Sequence, residues 1–197
     1  MSVTATPPRW AEALLRAFLK PDDFESVSGD LLEHYRDSIY PSRGQRGADL
    51  WYAMQVLGFV SPGARLFAVL FSAQFLARTT LDWFMPTLDF HTRATVSTVL
   101  GVGTLLAAGF WASWRSDSLA AGAVAGVVTT GLAAIISITG AATLLAIWHD
   151  PQTMAAIRGS GGLEEVFSLP VMMALPGVFL GCVGGAACTA IKRLLLT

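Results

Sequence analysis

The densest group of side chains suited to acid–base or metal chemistry lies early in the chain. Glu33, His34 and Asp37 fall within two helical turns, and carboxylates beside an imidazole can hold a metal ion or move a proton. On a helix Glu33 and Asp37 share a face, but His34 is turned about 100° away from it. We therefore interpret the three as a solvated polar face and expect no metal or catalytic site there.

A second group borders the longest loop expected from the sequence. His149 and Asp150 precede Pro151, and Glu164 and Glu165 close the loop. The glycines between them oppose a pre-organised ligand set, since glycine leaves the backbone free to adopt many conformations. We interpret the proline as a helix boundary and the two glutamates as favourable charge at a helix N-terminus. Metal binding is not expected here either.

The motifs of several large enzyme classes are absent from the sequence. It contains no G-x-x-x-x-G-K-[ST], no H-E-x-x-H and no G-x-S-x-G, which would bind nucleotide phosphates, bind zinc or supply a nucleophile. We predict a non-enzymatic protein with no catalytic, cofactor-binding or metal-binding residues. An intramembrane enzyme ranks third among the functions considered, after the two given below.

The charge distribution predicts a membrane protein. Only 14% of the 197 residues are charged, against roughly 25% in soluble domains. Residues 1–50 hold 6 basic and 8 acidic side chains, whereas the other 147 positions hold only 13 charged residues. This pattern predicts a polar head over residues 1–60 and a membrane body over 61–197. Nucleic-acid binding is excluded because the chain lacks a basic stripe.

Three segments are long enough to cross a bilayer as helices. Residues 94–114, 118–149 and 166–191 contain no Asp, Glu, Lys or Arg, and about 20 apolar residues span the hydrocarbon core. Because backbone amides must be paired inside hydrocarbon, these segments are expected to be helical. The fold class is therefore all-α, a polytopic membrane protein.

A fourth crossing is predicted over residues 64–84, with a three-crossing topology as the alternative. Its uncharged centre is only 12 residues long and is bounded by Arg65 and Arg78, whose side chains can extend to the interface. Trp83 and Phe84 close the segment, as tryptophans close the next two, and we interpret them as anchors at the headgroup level.

The distribution of Arg and Lys favours a cytoplasmic head in the inner membrane. In both topologies six basic residues flanking the spans lie on the head side and three on the other, and positive residues prefer the cytoplasm. The side of the C-terminus stays open, since an even number of crossings places it inside and an odd number outside.

Short amphipathic helices are expected in the head. The first begins after Pro8 and ends near Pro21. The second is predicted to start at Asp22, with Glu25 as its capping-box partner, and to break at Pro41 and Gly44. A third apolar stretch over 48–60 is expected at the membrane surface or leading into the first crossing.

Three motifs in the head resemble those of a known family. PPRWAEALLR at 7–16, GDLLEHYRD at 29–37 and WYAMQVL at 51–57 look like the permease prefix domain, which precedes the membrane part of macrolide-exporter-type ABC permeases. The similarity covers roughly residues 7–60. Such permeases also carry a large extracytoplasmic domain, for which the loops here are too short. The resemblance thus implies a cytoplasmic head and does not extend to a permease role.

The remaining predictions concern contact surfaces. Tandem small residues are typical of close helix packing in lipid, and they predict contact faces at Gly122, Gly126, Gly177, Gly181 and Gly185. The predicted partner-binding residues of the head are Trp10, Leu14, Phe18, Leu31 and Tyr35.

The sequence thus predicts a transporter-associated subunit or scaffold whose head engages a partner. The expected partners are the lipid bilayer and a separate ABC-type ATPase or permease chain. The alternative is a small transporter or channel that acts as a homo-oligomer through the glycine faces.

Overall fold

The computed structural model describes residues 6–87, 90–159 and 162–195, and within these ranges every regular element is a helix. This confirms the all-helical class for the described chain. A short π-helical segment, Tyr35–Ile39, lies between α2 and α3. The α-helices are α1 Arg9–Phe18, α2 Pro21–His34, α3 Tyr40–Phe84, α4 Phe90–Ser116, α5 Leu119–Ile147, α6 Pro151–Gly159, α7 Gly162–Met172 and α8 Ala174–Leu195.

Three of these helices are long and apolar enough to cross a membrane: α4, α5 and α8. They contain 27, 29 and 22 residues, and at 1.5 Å per residue each covers the roughly 30 Å hydrocarbon core. The segment predicted over 94–114 therefore lies inside α4, and the one predicted over 118–149 extends one residue before and two residues beyond α5.

The segment predicted as the first crossing, 64–84, falls in the second part of α3, which is not among the three helices that are long and apolar enough by themselves. The helical segments that end at Phe59 and begin at Pro62 are bent by 75°, and together they have the length and composition of one further span. A proline inside a helix removes a backbone hydrogen bond and clashes with the preceding turn, which accounts for a bend here.

The span predicted over 166–191 is divided in the structure. Helix α7 ends at Met172 and α8 begins at Ala174. Pro176 has no N–H to donate to the Met172 carbonyl, so the helix is interrupted there. The apolar segment long enough to cross therefore starts at Ala174 and not at residue 166.

Two details predicted for the head are wrong. Helix α2 begins at Pro21, with Lys20 at its N-cap and no side-chain cap, so Asp22 and Glu25 form no capping box. Proline is well suited to the first helical position, which explains why the helix starts at Pro21 and not at Asp22. The chain also stays helical through Pro41, and only Gly44, with φ of 66°, leaves helical geometry.

The head helices pack around one hydrophobic cluster. It is formed by fully buried residues of α1, the π-helical segment and the first part of α3: Ala11, Leu15, Tyr35, Ala48, Tyr52 and Val56. The end of α1 also reaches the membrane body, where Phe18 packs against Ala112, Ala121 and Ala125. The head is therefore in contact with the end of the bundle at which α4 turns into α5.

Candidate functional site

The closest packing in the molecule occurs where α8 meets α4 and α5. A Cβ atom added at Gly126 would overlap the carbonyl oxygen of Gly177, and one added at Gly181 would overlap the carbonyl oxygen of Gly122. Gly185 faces Ser113 of α4, at 2.6 Å from the added Cβ to the hydroxyl oxygen. The five predicted glycines thus lie in one interhelical contact, which we call the glycine seam.

Two further glycines in this contact were missed by the sequence analysis. An added Cβ at Gly109 would overlap the backbone of Gly181, and one at Gly184 would overlap the Leu106 carbonyl. In α4 the buried small residues at every fourth position, Ser97, Gly101, Gly109 and Ser113, are interrupted by Leu105. The signal that was available is the run of small residues at Ala108, Gly109, Ala112 and Ser113 along its buried face.

Hydroxyl groups of α5 accompany the seam. Thr130 donates to the Gly126 carbonyl at 2.9 Å. Ser72 of α3 donates across the bundle to the Ala133 carbonyl at 3.2 Å, which is the backbone acceptor that Ser137 would normally use. Accordingly, the Ser137 hydroxyl is buried without a hydrogen-bond partner. Of these hydroxyls, Ser72 joins two helices, Thr130 bonds within α5, and all three are neutral groups that offer no acid or base.

The predicted partner-binding residues of the head differ widely in exposure. Trp10 is 57% exposed, whereas Leu14, Phe18 and Leu31 are half-buried against the head cluster. Tyr35 is fully buried. Trp10 is therefore the member of this set that is most available to another molecule, and whether any of the five binds a partner stays a prediction.

Tyr35 is the centre of a hydrogen-bond network that joins the π-helical segment to the first part of α3. Its hydroxyl donates to Asp49 Oδ1 at 2.7 Å and accepts from Gln45 Nε2 at 2.8 Å. The same Gln45 amide donates to Asp49 Oδ1 at 2.9 Å. Burial, followed by the hydrogen bond and charge of Asp49, raises the pKa of Tyr35 to about 12. The phenol stays protonated and acts as a structural donor.

The two groups with potential for metal chemistry are not assembled into sites. Glu33, His34 and Asp37 are all exposed, and the His34 ring lies 5.1 Å from that of Trp51. Asp150 instead caps α6 and accepts hydrogen bonds from the backbone of Gln152 and Thr153. The hydrogen bond from the Thr153 hydroxyl, followed by that from the Thr153 backbone, lowers the pKa of Asp150. Among the described residues, no three His, Cys, Asp or Glu side chains are placed to share a metal ion.

A buried carboxylate that the sequence analysis did not single out lies at the far end of α3. Asp82 is 6% exposed and pairs with Arg78 and with Arg93 of α4, each at 3.3 Å. Arg93 also donates to the carbonyls of Leu81 and Met85. The cluster fixes the α3–α4 connection.

The expected anchoring role of Trp83 is wrong. Its side chain is only 2% exposed and packs with Ala141 and Ile157. Helix α6, in what was expected to be a loop, covers it, so the indole is enclosed by protein and is not exposed to lipid headgroups. Phe84 packs edge-on against Trp148, with ring centroids 5.2 Å apart.

The opposite end of the bundle carries a second ion pair. Lys192 of α8 pairs with Asp117 in the turn between α4 and α5, donates to the Trp114 carbonyl at 2.7 Å and lies 5.0 Å from the centre of the Trp114 ring. Lys192 lowers the pKa of Asp117, first through the hydrogen bond and then through its charge. The C-terminal part of α8 is thereby held at the α4–α5 turn.

Comparison with known proteins does not extend these assignments. No family model, curated protein or solved structure matches the chain. The function is therefore inferred from the residues and geometry of this chain alone.

Proposed function

We propose that the chain is a non-enzymatic subunit or scaffold of a membrane transport system, and that its N-terminal head engages a cytoplasmic partner. The observation that carries the proposal is the combination of a helical head packed on the bundle end with a membrane body whose contacts are structural. In this proposal a separate ABC-type ATPase or permease chain is the partner, as the resemblance to the permease prefix domain suggests.

The proposal includes four crossings, with the head and the C-terminus both in the cytoplasm. It is supported by the position of Phe18, which packs near the α4–α5 turn, and by Lys192, which binds the same turn from the end of α8. If α3 crosses from Pro62 to Phe84, the four helices alternate in direction and return the chain to the head side. Basic residues near this end favour the cytoplasmic side of the inner membrane.

The outer surface of the head is consistent with protein contact. All the acidic residues of α2 with described side chains are exposed, as is Asp37 after it, while the apolar side chains of α2 pack inward on the head cluster. The acidic face of α2 is therefore not used in packing against the helix bundle and stays exposed. A partner with basic character at its contact surface would complement it.

The glycine seam favours this subunit role over the homo-oligomeric channel. Gly122, Gly126, Gly177 and Gly181 contact one another within a single chain. These four glycines are therefore not available for contact with a second copy, which is the route to a homo-oligomer that the channel alternative used.

Site-specific photocrosslinking in native membranes tests the proposal. A photoreactive residue at Trp10 or Glu33 is expected to yield a discrete adduct with another protein, whereas one at Gln152, an exposed position on α6, is the matched control. The partner should also co-purify after gentle solubilisation. Recovery of the chain alone, with no adduct specific to the head positions, would rule out the partner.

A further inference from the structure

A continuous groove follows the junction between the head and the membrane body. Its central part is a cavity of about 300 Å³ between α1, the bend of α3 and the α4–α5 hairpin. A smaller cavity of about 240 Å³ adjoins it along α3, and a larger one of about 420 Å³ adjoins it towards the start of α2. The central and the larger cavity lie within the range of small-molecule sites, roughly 300–1,000 Å³. Arg115 lines all three cavities.

The floor of the groove is apolar and made of small side chains. Gly58, Ala108 and Ala125 leave the space that larger residues would fill, while Phe18 and Phe59 form its sides. An added Cβ at Gly58 would meet no atom within 4 Å. At Gly63 it would lie 2.9 Å from the Trp111 ring, so the absence of a side chain lets the indole pack across the bend of α3.

The mouth of the groove carries basic groups at the level expected for lipid headgroups. Arg115 and Lys20 are exposed and line the same cavity as Trp114 and the single acid Asp23. Trp111 and Trp114 are 49% and 43% exposed, and tryptophan prefers the membrane–water interface. The groove thus has an apolar floor, with two cations and two indoles at its mouth. This arrangement matches one acyl chain on the floor and its phosphate beside the cations.

We propose that this groove binds an anionic glycerophospholipid of the cytoplasmic leaflet, with the phosphate at Arg115 and Lys20 and an acyl chain on the small-residue floor. The lipid would lie between α1 and the bundle and fix the head against the membrane. This inference does not depend on the identity of any protein partner. It differs from general solvation by lipid because it predicts headgroup selectivity and a defined stoichiometry.

Native mass spectrometry of the delipidated full chain, titrated with phosphatidylglycerol or phosphatidylcholine, tests the proposal. We expect one phosphatidylglycerol to bind in preference to phosphatidylcholine. A surface cation contributes about 1 kcal/mol to anionic-lipid binding, which is about five-fold in affinity. Arg115→Gln should therefore weaken phosphatidylglycerol binding about five-fold, and the double variant with Lys20→Gln about 30-fold. Asp23→Asn should strengthen it.

Matched variants separate the groove from general effects. Arg193→Gln removes an exposed cation at the same bundle end that lines none of the three cavities, and it should leave binding unchanged. Gly58→Leu should block the floor, whereas Gly131→Leu, placed where an added Cβ also meets open space, should not. Circular dichroism of each variant checks that it is folded.

Three results would overturn the proposal. Equal binding of the two lipids would show that the groove does not select a net negative headgroup, and would contradict an anionic-lipid site. Equal loss in Arg193→Gln and Arg115→Gln would assign the effect to overall charge. Competition by inorganic phosphate alone, with Gly58→Leu binding normally, would show an anion site without a lipid groove.

Discussion

At the scale of single residues, Tyr35 makes the clearest prediction. Replacing it with phenylalanine removes the hydrogen bond to Asp49, and a bond to a charged acceptor contributes about 2 kcal/mol. We expect Tyr35→Phe to lower the stability of the head by about that amount at neutral pH, measured by denaturant unfolding in detergent.

The pH dependence of this variant follows from the shifted pKa. The pKa of Tyr35 rises from 10.0 to about 12 on folding, so its contribution is complete below pH 10 and is lost as the pH rises towards 12. The stability difference between wild type and Tyr35→Phe should therefore shrink over that interval. Tyr40→Phe, half-buried beside the same cluster, serves as the control. A difference independent of pH would contradict the assignment.

Asp82 shows why some residues escaped the sequence analysis. Its pairing with Arg78 is local, four residues away, but its second partner, Arg93, lies on the next helix. In the sequence, charged residues such as these arginines were used only to define where uncharged segments begin and end. The single carboxylate offsets one of the two positive charges and leaves a net charge of +1 on the cluster. This pairing depends on a contact between helices that spacing alone does not define.

For the helices, the lengths of the uncharged segments predicted the positions of α4 and α5 well. The reason is that backbone groups must be paired in hydrocarbon, and this requirement dominates every local preference of the sequence. Uncharged length alone overestimates the last span, but Pro170 and Pro176 predict from the sequence that the start of this helix is bent or delayed, and α8 begins only at Ala174. The anchor prediction failed for Trp83, whose burial depends on α6 folding back over it. Length predicts a span, but tertiary packing decides which side chains are covered.

The glycine seam gives the prediction that belongs to this scale. Gly181→Leu would force a side chain into the backbone of α5, and overpacking of this kind costs about 3 kcal/mol or more. Gly177→Leu should behave likewise, and even Gly181→Ala should be destabilised. Thermal unfolding of the detergent-solubilised protein measures the effect.

Two glycines provide matched controls for the seam variants. At Gly103 and Gly131 an added Cβ meets no atom within 4 Å, so leucine there should leave the unfolding temperature nearly unchanged. Equal destabilisation at seam and control positions would show that the helices tolerate separation and that the seam is not a specific contact.

At the scale of the whole molecule, the remaining prediction concerns topology. The contacts of Phe18 and Lys192 with the α4–α5 hairpin place the head and the end of α8 at one end of the bundle. A fluorescent reporter that folds only in the cytoplasm should therefore be bright when fused after Thr197. A phosphatase reporter that is active only outside should be active when inserted after Gly159, between the two described ends of α6 and α7.

The two reporters together decide between four crossings and three. With a cytoplasmic head, a three-crossing chain would place the end of α8 outside, and the α4–α5 turn would lie outside with it. Phe18 of a cytoplasmic head could not then reach Ala121 at that turn. An external C-terminus would thus contradict both the crossing of α3 and the packing of the head on the bundle, and with them the lipid groove between the two.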